Sequence, residues 1–291
     1  MSSSINQVLK ILNVTLPIFI AFILVMLNVR FAVNSLPLQE TLFERNNVSA
    51  VSNLSPSDLR DVSKQIQAYF NDDSEPLVVT LAGNNKTLNL FTKDEASHMA
   101  DVKKLFHFLF TAQNYLVSII FICAVLSYLF LKKSAYVAIA RWIKYGGVVT
   151  IFLILFIGVI SVVAFEPLFT LFHYIGFPQG NWTFNPRTSA LVQIFPLGFW
   201  RDMTFVIASL SIFEALLCVS FGQFVPRIWN PKSYPQPQLP PQQPPSGEVD
   251  PKLFLIFEAN IEKVFTASVP HSGQPTAILL EAIGSRFSKL L

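Results

Sequence analysis

The chain has 291 residues, of which 52% are hydrophobic and 13% charged, and 28 of them are Phe. A mean hydropathy of +0.48 excludes an ordinary soluble domain of this length. The net charge of +3 is too small to call for a nucleic-acid partner, because basic loops on one side of a membrane account for it.

A helix needs about 20 apolar residues to cross roughly 30 Å of hydrocarbon. Four runs qualify, at 11–33, 105–131, 145–165 and 203–225. The expected fold is an all-α membrane protein: four transmembrane helices with a small extracytoplasmic α+β segment between the first and second. The first run is too long for a removed signal peptide and lacks a small-residue cleavage site, so it reads as a retained helix after a cytoplasmic N-terminus of residues 1–10.

The segment 34–104 follows. Over 34–102 it holds ten Asp/Glu against five Lys/Arg, which fits a translocated region. Within it, "SPSDLRDVSKQIQAYF" offers Ser55 and Ser57 as helix N-caps and puts Leu59, Val62, Ile66 and Tyr69 on one face. "PLVVTLAGNNKTLNLFT" reads as two short strands joined around Gly83–Asn85.

Next comes "TKDEASHMADVKKLFH", Thr92 to His107. Thr92 followed by Glu95 makes a capping box, and nothing breaks the helix between there and the second apolar run. His98 sits one turn inside, with Asp94 at i−4 and Asp101 at i+3 on its face. A carboxylate beside a histidine orients the ring and raises its pKa.

The loop 132–144 carries Lys132, Lys133, Arg141 and Lys144 and no acid. Basic short loops favour the cytoplasmic side. This places both termini inside, and 34–104 and 166–202 outside. The second outer segment, "FEPLFTLFHYIGFPQGNWTFNPRTSALVQIFPLGFWRD", is aromatic throughout and suits a membrane-interface cap. Pro167, Pro178, Pro186 and Pro196 argue against one straight helix there. In the fourth run, Glu214 is ionisable within an apolar helix and so a candidate functional group. Residues 226–251 form a Pro/Gln-rich linker. In the cytoplasmic tail 252–291, the stretches 252–265 and 276–291 read as short amphipathic helices, either lying on the membrane or weakly ordered.

Cys123 and Cys218 lie inside apolar runs and read as packing residues. There is no P-loop, GxGxxG or GxSxG, and no cofactor is expected. Of four histidines, His271 falls in the tail, and His107 is about two and a half helical turns beyond His98, on the opposite face. His98 and His173 remain, 75 residues apart, both expected on the outer side at a membrane mouth. With Glu95 and Asp101 they could in principle ligate zinc, but no HExxH or close histidine pair supports a metal site.

Two blocks, "FTKDEASHMADVK" and "FHYIGFPQGNWTFNPRTSALVQIFPLGFWRD", resemble the bacterial lipoprotein intramolecular transacylase family, across roughly residues 10–226. The Pro-rich linker and the tail fall outside the likeness. The resemblance implies an enzyme of the bacterial cytoplasmic membrane that acts at the outer face on a diacylated lipoprotein N-terminus, among membrane lipid. It would move the sn-2 acyl chain of the diacylglyceryl-cysteine to that cysteine's own α-amino group, giving the lyso form. It assigns the catalytic roles to His98 and His173. Asp94, Glu95, Asp101, Trp182 and Asp202, which ends the second block, stand as supporting residues.

The chemistry of the residues agrees. An α-amino group with a pKa of about 7.7–8.0 needs a base before it can attack, and the departing glyceryl oxygen needs a proton. Two histidines supply both. Because nucleophile and ester belong to one molecule, no covalent enzyme intermediate is required. Trp182, Asn181 or a backbone N–H could serve the oxyanion. The residues alone leave open which histidine is base; His98 with its aspartates is favoured. Other readings are a non-enzymatic membrane sensor or assembly protein that binds a partner through the outer segment, and a small transporter coupled through Glu214. Four spans and no inverted repeat disfavour the transporter.

Overall fold

The computed structural model describes residues 2–72, 74–81 and 89–229. They form nine α-helices: α1 Ser2–Asn34, α2 Leu36–Arg45, α3 Val48–Ser52, α4 Pro56–Asn71, α5 Lys93–Leu131, α6 Ala135–Val163, α7 Phe165–Gly176, α8 Ala190–Ile194 and α9 Leu197–Trp229. α1 starts at Ser2, so the stretch 1–10 expected as a cytoplasmic tail is helical from its second residue. α9 runs to Trp229, into the expected linker. The rest of that linker and the two tail helices lie outside the described residues.

Among the described residues, three helical stretches are long and apolar enough to cross a membrane: Lys10–Asn34, Lys93–Val163 and Leu197–Val225. The middle stretch comprises α5, the 3-10 turn Lys132–Ser134 and α6. Lys132, at φ 48°, leaves helical geometry and separates the two helices. Large side chains such as Phe121, Phe130, Phe152 and Val163 are exposed along these helices, which suits contact with hydrocarbon.

α6 packs chiefly on α9 and then on α1. Gly147 makes the first contact close: a Cβ there would come within 2.5 Å of the Ala215 carbonyl oxygen. Trp142 Nε1 on α6 donates to Asn13 Oδ1 on α1 at 2.7 Å. Asn28 Nδ2 on α1 donates to Glu214 Oε2 at 2.8 Å and to Ser211 Oγ at 3.2 Å on α9. Glu214 is thus hydrogen-bonded inside the bundle.

α2 to α4 form a cap at one end of the bundle. Asn47 and Asn53, both left-handed at φ 51° and 56°, break the chain between these helices; Asn tolerates that conformation better than most residues. Ser55 caps α4 in a box with Asp58. Leu59, Val62, Ile66 and Tyr69, the face expected from the sequence, are its buried residues. They join Phe43, Val79, Phe91 and Met99 in one core with Leu191, Ile194, Phe199 and Met203. The segment before α5 and the segment before α9 therefore share a single hydrophobic core.

Among the described residues, the two expected strands amount to one antiparallel bridge, Thr80 with Asn89. The turn between them lies outside the described residues. On the other edge of Thr80, the Gln65 amide accepts from Thr80 N and donates to Thr80 O, both at 2.9 Å. A side chain from α4 thus satisfies the Thr80 groups that face away from Asn89, whose side of the bridge is closed by Leu90 N on Val79 O at 3.1 Å.

Candidate active site

Two helix starts build the site. Thr92 caps α5, accepting from Glu95 N, while Glu95 Oε2 accepts from Thr92 N at 2.7 Å and from Thr92 Oγ1 at 2.9 Å. The same glutamate reaches out of its own helix. Its Oε1 accepts from Ser189 Oγ at 2.5 Å and from Leu191 N at 3.0 Å. Ser189 in turn caps α8. Glu95, only 1% exposed, thus fastens the start of α5 to the start of α8. Burial works to raise its pKa, but the donors from Ser189, Thr92 and Leu191 outweigh that and hold it below the usual carboxylate range.

One turn further along α5, His98 meets His173 of α7. The ring centroids are 5.9 Å apart and the planes 25° from parallel. Both are buried, at 6% and 8% exposed. His173 is the buried residue of α7; Leu171, Phe172, Tyr174 and Ile175 around it are exposed. Aromatic rings enclose the pair. Phe177 lies 4.8 Å and Phe184 5.8 Å from His98, and Phe169 lies 4.3 Å and Trp182 5.1 Å from His173.

This wall changes the electrostatics expected from the sequence. Burial lowers the pKa of His98 to about 4, with the charge of a protonated His173 adding to the fall and Asp101 opposing it. His173 is also lowered by burial, against a hydrogen bond of 2.8 Å between its Nδ1 and Phe169 O. Since a carbonyl only accepts, that Nδ1 carries hydrogen and Nε2 is left toward the site. A raised histidine pKa was expected from the flanking aspartates. Desolvation by the aromatic wall wins instead, because both rings are inside and neither aspartate bonds to them. Asp94 is exposed. Asp101 directs its carboxylate elsewhere: Oδ2 accepts from Gln179 Nε2 at 2.7 Å and from Asn181 Nδ2 at 2.8 Å, and Oδ1 from Lys104 at 3.3 Å.

The remaining predicted residues divide. Trp182 is in the site, its Nε1 buried without a partner. His98 Nδ1 and Asn181 Oδ1 are likewise buried and unpartnered. Asp202 is not in the histidine wall; it accepts from Arg45 Nε at 2.9 Å and Asn46 Nδ2 at 3.2 Å, tying α9 to α2. His107 contacts Phe70 O at 2.9 Å, away from the pair. Among the described residues no group of three or more His, Cys, Asp or Glu is placed to hold a metal. Sequence reading missed Ser189 and Gln179. A serine before a short apolar run signals a helix cap, and that signal identifies Ser189; nothing local marks its second bond to Glu95.

The sequence matches the lipoprotein intramolecular transacylase (Lit) family over residues 14–200. It is 35% identical over 132 residues to an uncharacterized protein of Aquifex aeolicus, covering 45% of this chain and 56% of that protein. The match thus spans little more than half of that relative's length. The fold is similar to the membrane-integral lipoprotein intramolecular transacylase Lit from Bacillus cereus, with a TM-score of 0.65 at 17% identity, covering 77% of this chain and 98% of that one. Structures of the Bacillus cereus protein with one histidine changed to arginine or to alanine give TM-scores of 0.62 at 16% identity, covering 77% of this chain and 94% and 96% of those chains.

Proposed function

This chain belongs to the lipoprotein intramolecular transacylase family, and on that footing we propose that it is an acyltransferase. It moves the sn-2 acyl chain of a diacylglyceryl-cysteine lipoprotein onto the α-amino group of the same cysteine. The observation that carries this reading is the stacked His98–His173 pair inside an aromatic wall.

Burial lowers the pKa of both histidines, so both rings are neutral at neutral pH. His98 stays neutral well below neutral pH, so its lone pair is free to take a proton from the attacking amine. His173 keeps its Nδ1 hydrogen on the Phe169 carbonyl, so its bare Nε2 can receive a proton from His98 and pass it to the leaving oxygen. In the reaction, the neutral amine attacks the ester carbonyl carbon and forms the N–C bond. One amine hydrogen passes to His98 as the nitrogen becomes acidic. The bond from that carbon to the glyceryl oxygen breaks, and the oxygen takes the proton from His173. The products are an amide and a free hydroxyl; the proton has gone from the amine to that hydroxyl through the pair, and both rings end neutral. The buried Trp182 N–H, without a partner and beside His173, suits the developing oxyanion. Intramolecular attack removes much of the barrier by proximity alone.

The helices suit this location. α5, at 39 residues, is far longer than one span requires, and its charged first turns, Lys93–Lys104, stand outside the hydrocarbon. We read α1, the apolar parts of α5 and α6, and α9 as four spans. The basic turn after Leu131 and both termini lie in the cytoplasm, and the histidines at the outer face of a bacterial cytoplasmic membrane. There the polar head of a lipoprotein meets the pair while its acyl chains remain in lipid.

Expression of this chain with a diacylated lipoprotein tests the activity. Mass spectrometry of the N-terminal peptide should find the N-acyl, S-monoacylglyceryl form. Unchanged diacylglyceryl peptide alongside well-folded, membrane-inserted protein would favour a non-enzymatic sensor or assembly role.

A further inference from the structure

The carboxylate of Asp101 is one helical turn beyond His98 on the same face of α5. Its Oδ2 holds two neutral amides, Gln179 Nε2 at 2.7 Å and Asn181 Nδ2 at 2.8 Å. Both come from the turn Phe177–Asn181, in which Gly180 N donates to Phe177 O and Gly180 takes φ +82°. The same short segment supplies the rings that cover the histidines, Phe177 on one side and Trp182 and Phe184 on the other. Three buried polar atoms, His98 Nδ1 and, in the segment itself, Trp182 Nε1 and Asn181 Oδ1, have no partner. Native structures leave few such atoms, and here three are grouped at one place.

We propose that Asp101 is the group that recognises the protonated N-terminal amine of the substrate, whose ammonium displaces the amides of Gln179 and Asn181 as the Phe177–Phe184 segment moves aside. The inference rests on the transacylase reading above and gives it a basis for amine selectivity.

The other acids around the pair are committed or remote. Glu95 spends both oxygens on Thr92, Ser189 and Leu191. Asp202 is held by Arg45 and Asn46. Asp94 is exposed on the preceding turn. Asp101 remains charged: burial works to raise its pKa, and the Asn181, Gln179 and Lys104 donors overcome it. Lys104 is itself exposed and holds the other oxygen, a weak partner in water. An ammonium on Oδ2 adds the attraction of opposite charges to its hydrogen bond, which the neutral amides lack. The incoming charge therefore has a reason to open the segment, and a substrate already N-acylated has none. Asp101 is a binding and positioning residue here; the proton transfers remain with the histidines.

The test uses the full-length protein and a synthetic diacylglyceryl-cysteine lipopeptide with a free amine, compared with its N-acetyl counterpart. Binding to wild type at pH 6.5 should favour the free amine by about tenfold, the size of one charged hydrogen bond, and the preference should vanish near pH 9.5, where the amine is neutral. His98, Lys104 and, from α4, Tyr69 are the titratable groups facing Asp101. His98 is neutral at both pH values, and Lys104→Gln controls for the lysine. Asp101→Asn should bind both peptides alike and raise KM more than it lowers kcat, while Asp101→Glu restores the preference. Gln179→Leu should strengthen the preference, because it frees an acceptor. An Asp101→Asn protein that still prefers the free amine overturns the inference, as does a Gln179→Leu protein with no change should Asp101→Asn fail to fold. A wild type that binds the free amine selectively but never converts it overturns the transacylase reading instead.

Discussion

Glu95 and Ser189, 94 residues apart, share a buried hydrogen bond of 2.5 Å, and each is also a capping residue of its own helix. That double use sets where α5 and α8 begin relative to each other, and the His98 ring hangs one turn below. Ser189→Ala should cost about 1.5–3 kcal/mol, the usual worth of a hydrogen bond to a charged group, seen as a lower melting temperature in detergent. Glu95→Gln should cost at least as much and also change the pH dependence. The folded pKa of Glu95 is depressed, so its contribution is present above the unfolded value of about 4.3 and is lost as pH falls through the folded one. The Gln variant should lose less stability on acidification than wild type.

The histidines give a second expectation, of the same sign but in a higher window. With a folded pKa of about 4 for His98 against an unfolded value of about 6.5, its stabilising share is present above pH 6.5. It is lost progressively as pH falls toward 4. Imidazole nitrogen NMR on histidine-labelled protein should find His98 neutral at pH 5.5. A charged His98 at that pH would show that water reaches the ring and that the aromatic wall is open.

Glu214 is expected to be structural. Its Oε2 accepts from Asn28, and Gln offers the same acceptor, so Glu214→Gln should retain acyl transfer. Glu214→Leu should weaken the α1–α9 contact by about 0.6–2 kcal/mol, the range measured for hydrogen bonds between membrane helices. Complete loss of turnover in a stably inserted Glu214→Gln protein would bring this glutamate into the mechanism.

Much of this architecture is legible from local signals. The Thr92–Glu95 and Ser55–Asp58 boxes and the apolar face of α4 are written in consecutive residues, and their helices begin where those residues say. The histidine pair is legible only as two histidines expected at similar depth; nothing within either segment fixes a separation of 5.9 Å. Asp101 shows where local reading fails. Its spacing from His98 predicts an orienting partner, yet its preferred donors, Gln179 and Asn181, stand about 80 residues away and take the carboxylate. The sign of the His98 shift was lost for the same reason, because the rings that desolvate it, Phe177 and Phe184, come from a distant segment. Gln65 takes the outer edge of Thr80 in the same way, by a contact between elements.

The family match ends at residue 200, and the described helix α9 ends at Trp229. Removal of residues 230–291 should therefore leave acyl transfer intact, measured on a synthetic lipopeptide with membranes containing the truncated protein. An inserted but inactive truncation would give the tail a part in turnover.

The most direct measurement is the mass of the lipoprotein N-terminal peptide after expression with wild type, His98→Ala or His173→Ala, with insertion of each protein verified. General acid–base groups contribute about 10²–10⁴-fold, so each single variant should leave the diacylglyceryl form essentially unconverted while wild type gives the lyso form. Lyso product at near wild-type levels in both variants would contradict acyl transfer by this pair.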